Sequence, residues 1–260
     1  MKNLKATLIC EFLKLKRSGI FWITVTLFIF IPVMFGLMLY ISQNPDLMAK
    51  LGLIGTKAKL FGENDWKGYF GILNQSIATI GLIGFGFVTS WIFGCEYTNR
   101  TMKDLLALPV SRTNIVIAKF IVAIVWCLLL VLIFIVVAVF AGRTVGISGW
   151  NTEHISGLIS RFFAIAFMTM LLCTPVGFFA SYGRGIIAPL GFVIVTLILA
   201  QFMGISGLGP YFPWAIPGVY SVTETVPGMV LTTASYFILI ITSIAGFAGT
   251  ALWWRLADHH

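Results

Sequence analysis

Two Gly-Ile-Ser-Gly tetrapeptides, around Ser148 and Ser206, offer serines in a setting that can support nucleophilic attack. That chemistry needs a histidine within hydrogen-bond reach of the serine. The three histidines are His154, His259 and His260, and none lies in a long apolar stretch, so both serines read as turn residues. Cys10, Cys95, Cys127 and Cys173 are isolated, which implies neither a disulfide framework nor a zinc site. HExxH, a phosphate-cradling GxxxxGK[ST] and paired acids within an apolar stretch are all absent. No catalytic, cofactor-binding or metal-binding residue is therefore expected in this chain.

The elements that would position any chemistry follow from composition. The 260 residues are 59% hydrophobic and only 10% charged, and the mean hydropathy is +0.99. An ordinary soluble domain is about 45–50% apolar and about 25% charged. One core of this size cannot hide that much apolar surface from water. A soluble enzyme, a disordered tail and a nucleic-acid-binding domain are excluded, and the chain reads as an all-α integral membrane protein. A spanning helix needs about 20 mostly apolar residues. Six stretches qualify, at about 20–41, 72–93, 115–141, 162–182, 186–203 and 230–254, within a single transmembrane domain covering 1–260. Gly183, Arg184 and Gly185 make a tight reversal between the fourth and fifth.

Charge orients the spans. Eleven Lys and Arg fall on the side of the two termini and six on the other; with acids included the balance is +7 against +1. The positive-inside rule puts both termini in the cytoplasm of a multi-pass plasma-membrane protein. Lys119, near the end of the third span, is expected to snorkel toward the headgroups.

Outside the spans, residues 1–18 read as an interfacial helix. Leu4, Leu8, Ile9, Phe12, Leu13 and Leu15 occupy one half of its wheel, and Thr7, Glu11, Lys14 and Arg17 the other. After the second span, Thr101 and Asp104 form a possible capping box. Met102, Leu105 and Leu106 then share a face, and Pro109 ends the turn. This predicts a short cytoplasmic helix with an apolar docking face for a soluble partner. On the outer side, Trp66, Tyr69 and Phe70 suit an aromatic belt. Residues 204–228 hold four prolines among Tyr211, Phe212, Trp214 and Tyr220, with Glu224 as the sole charge. Such a segment cannot span, and reads as re-entrant if its freed backbone is buried in protein.

Three stretches carry a family resemblance. Glu11-Phe12-Leu13-Lys14-Leu15-Lys16-Arg17-Ser18 is similar to the start of ABC-2-type transporter permeases. Glu96-Tyr97-Thr98-Asn99-Arg100-Thr101-Met102-Lys103, continuing to Leu108-Pro109-Val110-Ser111-Arg112, resembles that family's segment after the second span, and Pro213-Trp214-Ala215-Ile216-Pro217-Gly218 its last outer loop. Among subfamilies the chain looks most like permeases of bacitracin and lantibiotic export or self-protection. The resemblance implies a permease half that pairs with a second copy, or with a paralogous permease, above separate ABC ATPase subunits. Those subunits would supply ATP and Mg chemistry. It implies a coupling helix involving Thr98, Arg100, Met102, Lys103, Leu105, Leu106 and Pro109, with Leu105 and Leu106 as apolar anchors. It also suggests a boundary salt bridge from Glu96 to the N-terminal helix, with Lys14 and Arg17 as partners, and an outer gate near Tyr211, Phe212, Trp214, Tyr220 and Glu224. The implied cargo is hydrophobic or amphipathic, such as a peptide antibiotic or lipid. A sodium or small-solute exporter and a non-transporting scaffold are the alternatives.

Overall fold

The structure is a computed structural model and describes residues 2–44, 46, 50, 65–102, 105, 110–147, 152–223 and 230–256. Its regular elements are all helical: α1 (Lys2–Arg17), α2 (Gly19–Gln43), α3 (Trp66–Thr98), α4 (Arg112–Val145), α5 (Thr152–Leu171), α6 (Thr174–Tyr182), α7 (Ile187–Ile205), two 3₁₀ turns (Gly209–Tyr211 and Pro213–Ala215), α8 (Ile216–Val222) and α9 (Thr233–Leu256). Among the described residues six apolar helical runs are long enough to cross a membrane, α5 and α6 together supplying the fourth as Ile155–Tyr182.

α3 is the hub. Of its most apolar window 72% is buried, against 22% in α2 and α7 and 28% in α9, so those three form the periphery. It begins where Asp65 caps it, Oδ1 accepting the Gly68 N–H at 2.7 Å. At 33 residues it is about 50 Å long, well beyond a bilayer's apolar thickness. Trp66, Tyr69 and Phe70 in its first turns are buried rather than belted at an interface, because α4 is equally long and covers them. The Tyr69 hydroxyl donates to Ala138 O at 3.1 Å.

The fourth span, expected at about 162–182, is longer than that stretch and broken. It starts earlier and breaks at Leu172 and Cys173, because Pro175 in the first turn of α6 has no N–H to continue the ladder. The groups freed in mid-span find partners. Trp214 Nε1 donates to Leu172 O at 3.3 Å, and Thr174 Oγ1 donates across to Ser243 O of α9 at 2.8 Å. α9 comes this close because Gly246 lies against the proline: a methyl there would sit 2.4 Å from Pro175 N. The next turn reverses the chain. Phe179 of α6 stacks on Phe192 of α7 at 4.1 Å, where a continuous helix would separate them by about 20 Å.

α1 joins α2 through Ser18 alone, whose hydroxyl and N–H both donate to Leu15 O. Its faces are inverted relative to the expectation for a helix with its polar side toward water. Thr7, Glu11 and Leu15 are buried, while Ile9, Phe12 and Leu13 are 43–62% exposed. The polar stripe turns inward because charged partners await it on α3 and α4.

Candidate functional site

Those partners form a buried charge cluster. Lys119, on α4, is completely buried; its Nζ lies 3.1 Å from Glu11 Oε2, 2.7 Å from Glu96 Oε1 and 2.6 Å from Ile92 O. An ammonium has three donors, and here each has an acceptor. Lys119 therefore does not snorkel: two carboxylates and a carbonyl hold it inside. Lys14 completes the set, 2.8 Å from Glu11 Oε1 and 3.1 Å from Glu96 Oε1, with its side chain 35% exposed. Cys95 Sγ donates to the other Glu96 oxygen at 3.2 Å.

Two carboxylates and two ammoniums balance in charge, and the balance is what lets them be buried. An uncompensated charge at such a site costs about 3–5 kcal/mol. Burial alone would lower the pKa of Lys14, but the carboxylates of Glu11 and Glu96 outweigh it, and the pKa stands above its ordinary value. The cluster ties α1 to α3 and α4 by charge-assisted bonds at this end.

Of the residues expected at the boundary, Glu96 and Lys14 meet, while Arg17 is exposed on the other side of α1 and takes no part in the cluster. Sequence reasoning left out Glu11 and Lys119. The available signal was that Glu11 is the only acid in α1 and Lys119 the only cation inside the third apolar run.

Directly beyond the cluster, α3 ends in a tight cap. Arg100 adopts φ +58°, its N–H donates to Tyr97 O, and the Thr101 N–H reaches back to Glu96 O at 2.9 Å. This is the left-handed helix ending that usually carries glycine. A side chain there costs roughly 1–2 kcal/mol. The same ending recurs at the α6–α7 turn, where Arg184 has φ +49° and the Gly185 N–H bonds Ala180 O. Both arginines are exposed at helix C-termini, where the backbone dipole favours cations. The two turns sit together: a methyl on Gly94 would lie 2.7 Å from Gly185 O.

The predicted coupling segment divides. Thr98, Arg100 and Thr101 are exposed, whereas Met102 and Leu105 are buried in the chain's own core. Of the predicted apolar face, Met102 and Leu105 pack inward on this chain. Lys103, Leu106 and Pro109 lie outside the described residues, as do Glu224 and Ser148.

At the opposite end, the proline-rich segment packs onto α3, α5 and α7. Tyr211 is exposed, Phe212 and Trp214 are half-buried with ring centroids 5.6 Å apart, and Tyr220 lies under Arg161 of α5. Arg161 Nη2 donates to Tyr220 O at 2.6 Å and to Thr223 Oγ1, pinning the end of α8. Ser206 donates to its own helix at Phe202 O, as a turn residue does.

The profile of the family described as "ABC-2 family transporter protein" matches residues 7–201, a stretch that contains the charge cluster and the capped turn. The bacitracin transport permease protein BCRB of Bacillus licheniformis is 23% identical over 184 residues, which cover 71% of this chain and 88% of that protein. No solved structure matches.

Proposed function

The chain belongs to the ABC-2 family of transporter proteins, and from that premise we propose that it is the permease half of an ATP-driven exporter of hydrophobic or amphipathic molecules, peptide antibiotics among them. The observation that carries this reading is the charge cluster welding α1, α3 and α4 directly beneath an exposed, strained turn at Thr98–Thr101. A push on that turn from a soluble ATPase reaches three helices at once. ATP and Mg are bound and consumed in the partner, and a second copy of the permease completes the pathway.

Docking falls to polar groups, Thr98, Arg100 and Thr101, with Arg184 beside them, rather than to an apolar knob. An acidic rim on the ATPase groove fits this surface. The outer segment pinned by Arg161 is the gate on the exit side. A peptide cargo draws its support from the bacitracin permease, which covers most of both chains.

The test is co-purification in mild detergent after expression of this chain together with its neighbouring genes, followed by identification of any ATPase that accompanies it. Arg100→Glu should release the ATPase and abolish its stimulation while leaving permease yield unchanged. Retention of both would refute docking at this turn, and a wild-type permease that brings no ATPase would favour a scaffold.

A further inference from the structure

Two exposed amide side chains in the spans stand apart from the span hydroxyls. Span hydroxyls donate back to their own helices: Ser76 to Ile72 O, Thr89 to Phe85 O, Thr196 to Val193 O, Thr250 to Gly246 O. A primary amide cannot satisfy two donors and an acceptor in that way. Gln75 of α3 and Gln201 of α7 are exposed, and neither side chain hydrogen-bonds any described residue. Facing acyl chains, each would be a costly misfit.

Both open into one cavity of about 220 Å³ between α3 and α7, covered by Trp214, Val219 and Val222. It lies about 30 Å along α3 from Glu96. Among the described residues no charged side chain lines it, so none of them offers a phosphate or carboxylate a counter-charge. Gln75 and Gln201 together offer both donors and acceptors, the complement of a neutral amide. The volume exceeds the roughly 150 Å³ that accommodates benzene. It suits one aromatic or branched side chain with its own amide. Gly204 and Gly218 line the cavity with nothing within 4 Å of where a Cβ would stand, so the space is open rather than packed.

We propose that this cavity is a binding subsite for a neutral, amide-bearing amphipathic ligand, taking one apolar side chain while Gln75 and Gln201 bond the adjoining backbone amide. The subsite deepens the exporter reading and rests on it for its physiological cargo, but its test needs neither ATPase nor transport.

Purified full-length permease in phosphatidylglycerol nanodiscs would be titrated with N-octanoyl-phenylalanine methylamide and with the matching methyl ester, empty nanodiscs serving as the partitioning control. The amide should bind about tenfold more tightly than the ester, one hydrogen bond being lost. The one of Gln75→Leu and Gln201→Leu that removes the acceptor for this N–H should erase that preference, and the other should weaken amide and ester alike. Gly218→Leu, or Gly204→Val should the first misfold, should abolish saturable binding at an unchanged melting temperature. Equal binding of amide and ester, binding no greater than to empty nanodiscs, or indifference to the glycine variants would overturn the subsite. So would spontaneous disulfide crosslinking of Gln201→Cys between two copies, since the glutamine would then face a partner chain. A ligand-bound permease that recruits no ATPase would sink the exporter reading and leave the subsite standing; the reverse result would do the opposite.

Discussion

Lys119 and Glu11 stand 108 positions apart in the chain and meet at 3.1 Å, the first wholly buried and the second nearly so. Their contact makes an N-terminal helix part of the bundle rather than an appendage on its surface. It also gives that helix a preferred face, which its own amphipathic pattern would have reversed.

Lys119→Met leaves Glu11 and Glu96 sharing only the half-exposed Lys14. The variant should lose about 3–5 kcal/mol of stability, the cost of an uncompensated buried charge. Adding Glu11→Gln restores the charge balance, and the double variant should recover much of the loss. Thermal unfolding of the four members of the cycle in detergent checks this. Simple additivity of the two losses would show that the pair is not coupled.

Close packing makes an opposite pair of predictions for two glycines one helical turn apart on α9. A methyl at Gly246 would press on Pro175 backbone at 2.4 Å, whereas at Gly249 it would meet the Phe178 ring at 3.5 Å, an ordinary contact. Gly246→Ala should cost about 1–3 kcal/mol, as overpacking does. Gly249→Ala should be neutral or slightly stabilising, since alanine is the better helix former. Melting temperatures of the two variants separate these outcomes directly.

The segments long enough to span were legible because twenty apolar residues in a row have few other uses, and all six predicted stretches correspond to helices. What failed to show was which way a face turns. Leu105 at helical spacing from Met102 reads identically whether it meets a partner or the chain's own core. Glu11 on the polar side of α1 reads as solvated until Lys119 is known to lie opposite. The break at Leu172 needed more than Pro175, since prolines are tolerated in spans; Pro32 sits inside α2 without breaking it. The difference is that Trp214 and the glycine on α9 stand ready to accept the broken geometry, and both come from distant sequence.

Arg161 grips the end of α8 through Tyr220 O and Thr223 Oγ1 while its guanidinium lies 5.0 Å from the Tyr220 ring centroid. Arg161→Ala should loosen that segment. In a background with the exposed Cys10 changed to serine, Ser221→Cys, buried in the parent, should react with a polar maleimide several-fold faster once Arg161 is removed. Arg161→Lys should be intermediate, because an ammonium lacks the planar fork. Unchanged labelling would show that packing, not the arginine, holds α8.

Sidedness can be read in the same cysteine background. Asn99→Cys, exposed beside the capped turn, should label only after the cells are permeabilised, and Thr144→Cys, exposed at the far end of α4, should label in intact cells. The opposite pattern would invert the orientation drawn from the basic residues and move the docking turn to the wrong side for an ATPase.

Arg100 offers the sharpest separation of stability from coupling. Its left-handed backbone suits glycine, so Arg100→Gly should stabilise the isolated permease by about 1 kcal/mol. The same change removes the exposed guanidinium from the proposed docking turn, so ATPase co-purification and stimulation should fall. Arg100→Lys keeps the charge and the strain, and should retain most of the coupling with no gain in stability. A side chain present only for folding would have no reason to be the less stable choice at this position. If Arg100→Gly instead gains stability and keeps full coupling, the arginine serves neither role, and the push must enter through Arg184 on the neighbouring turn.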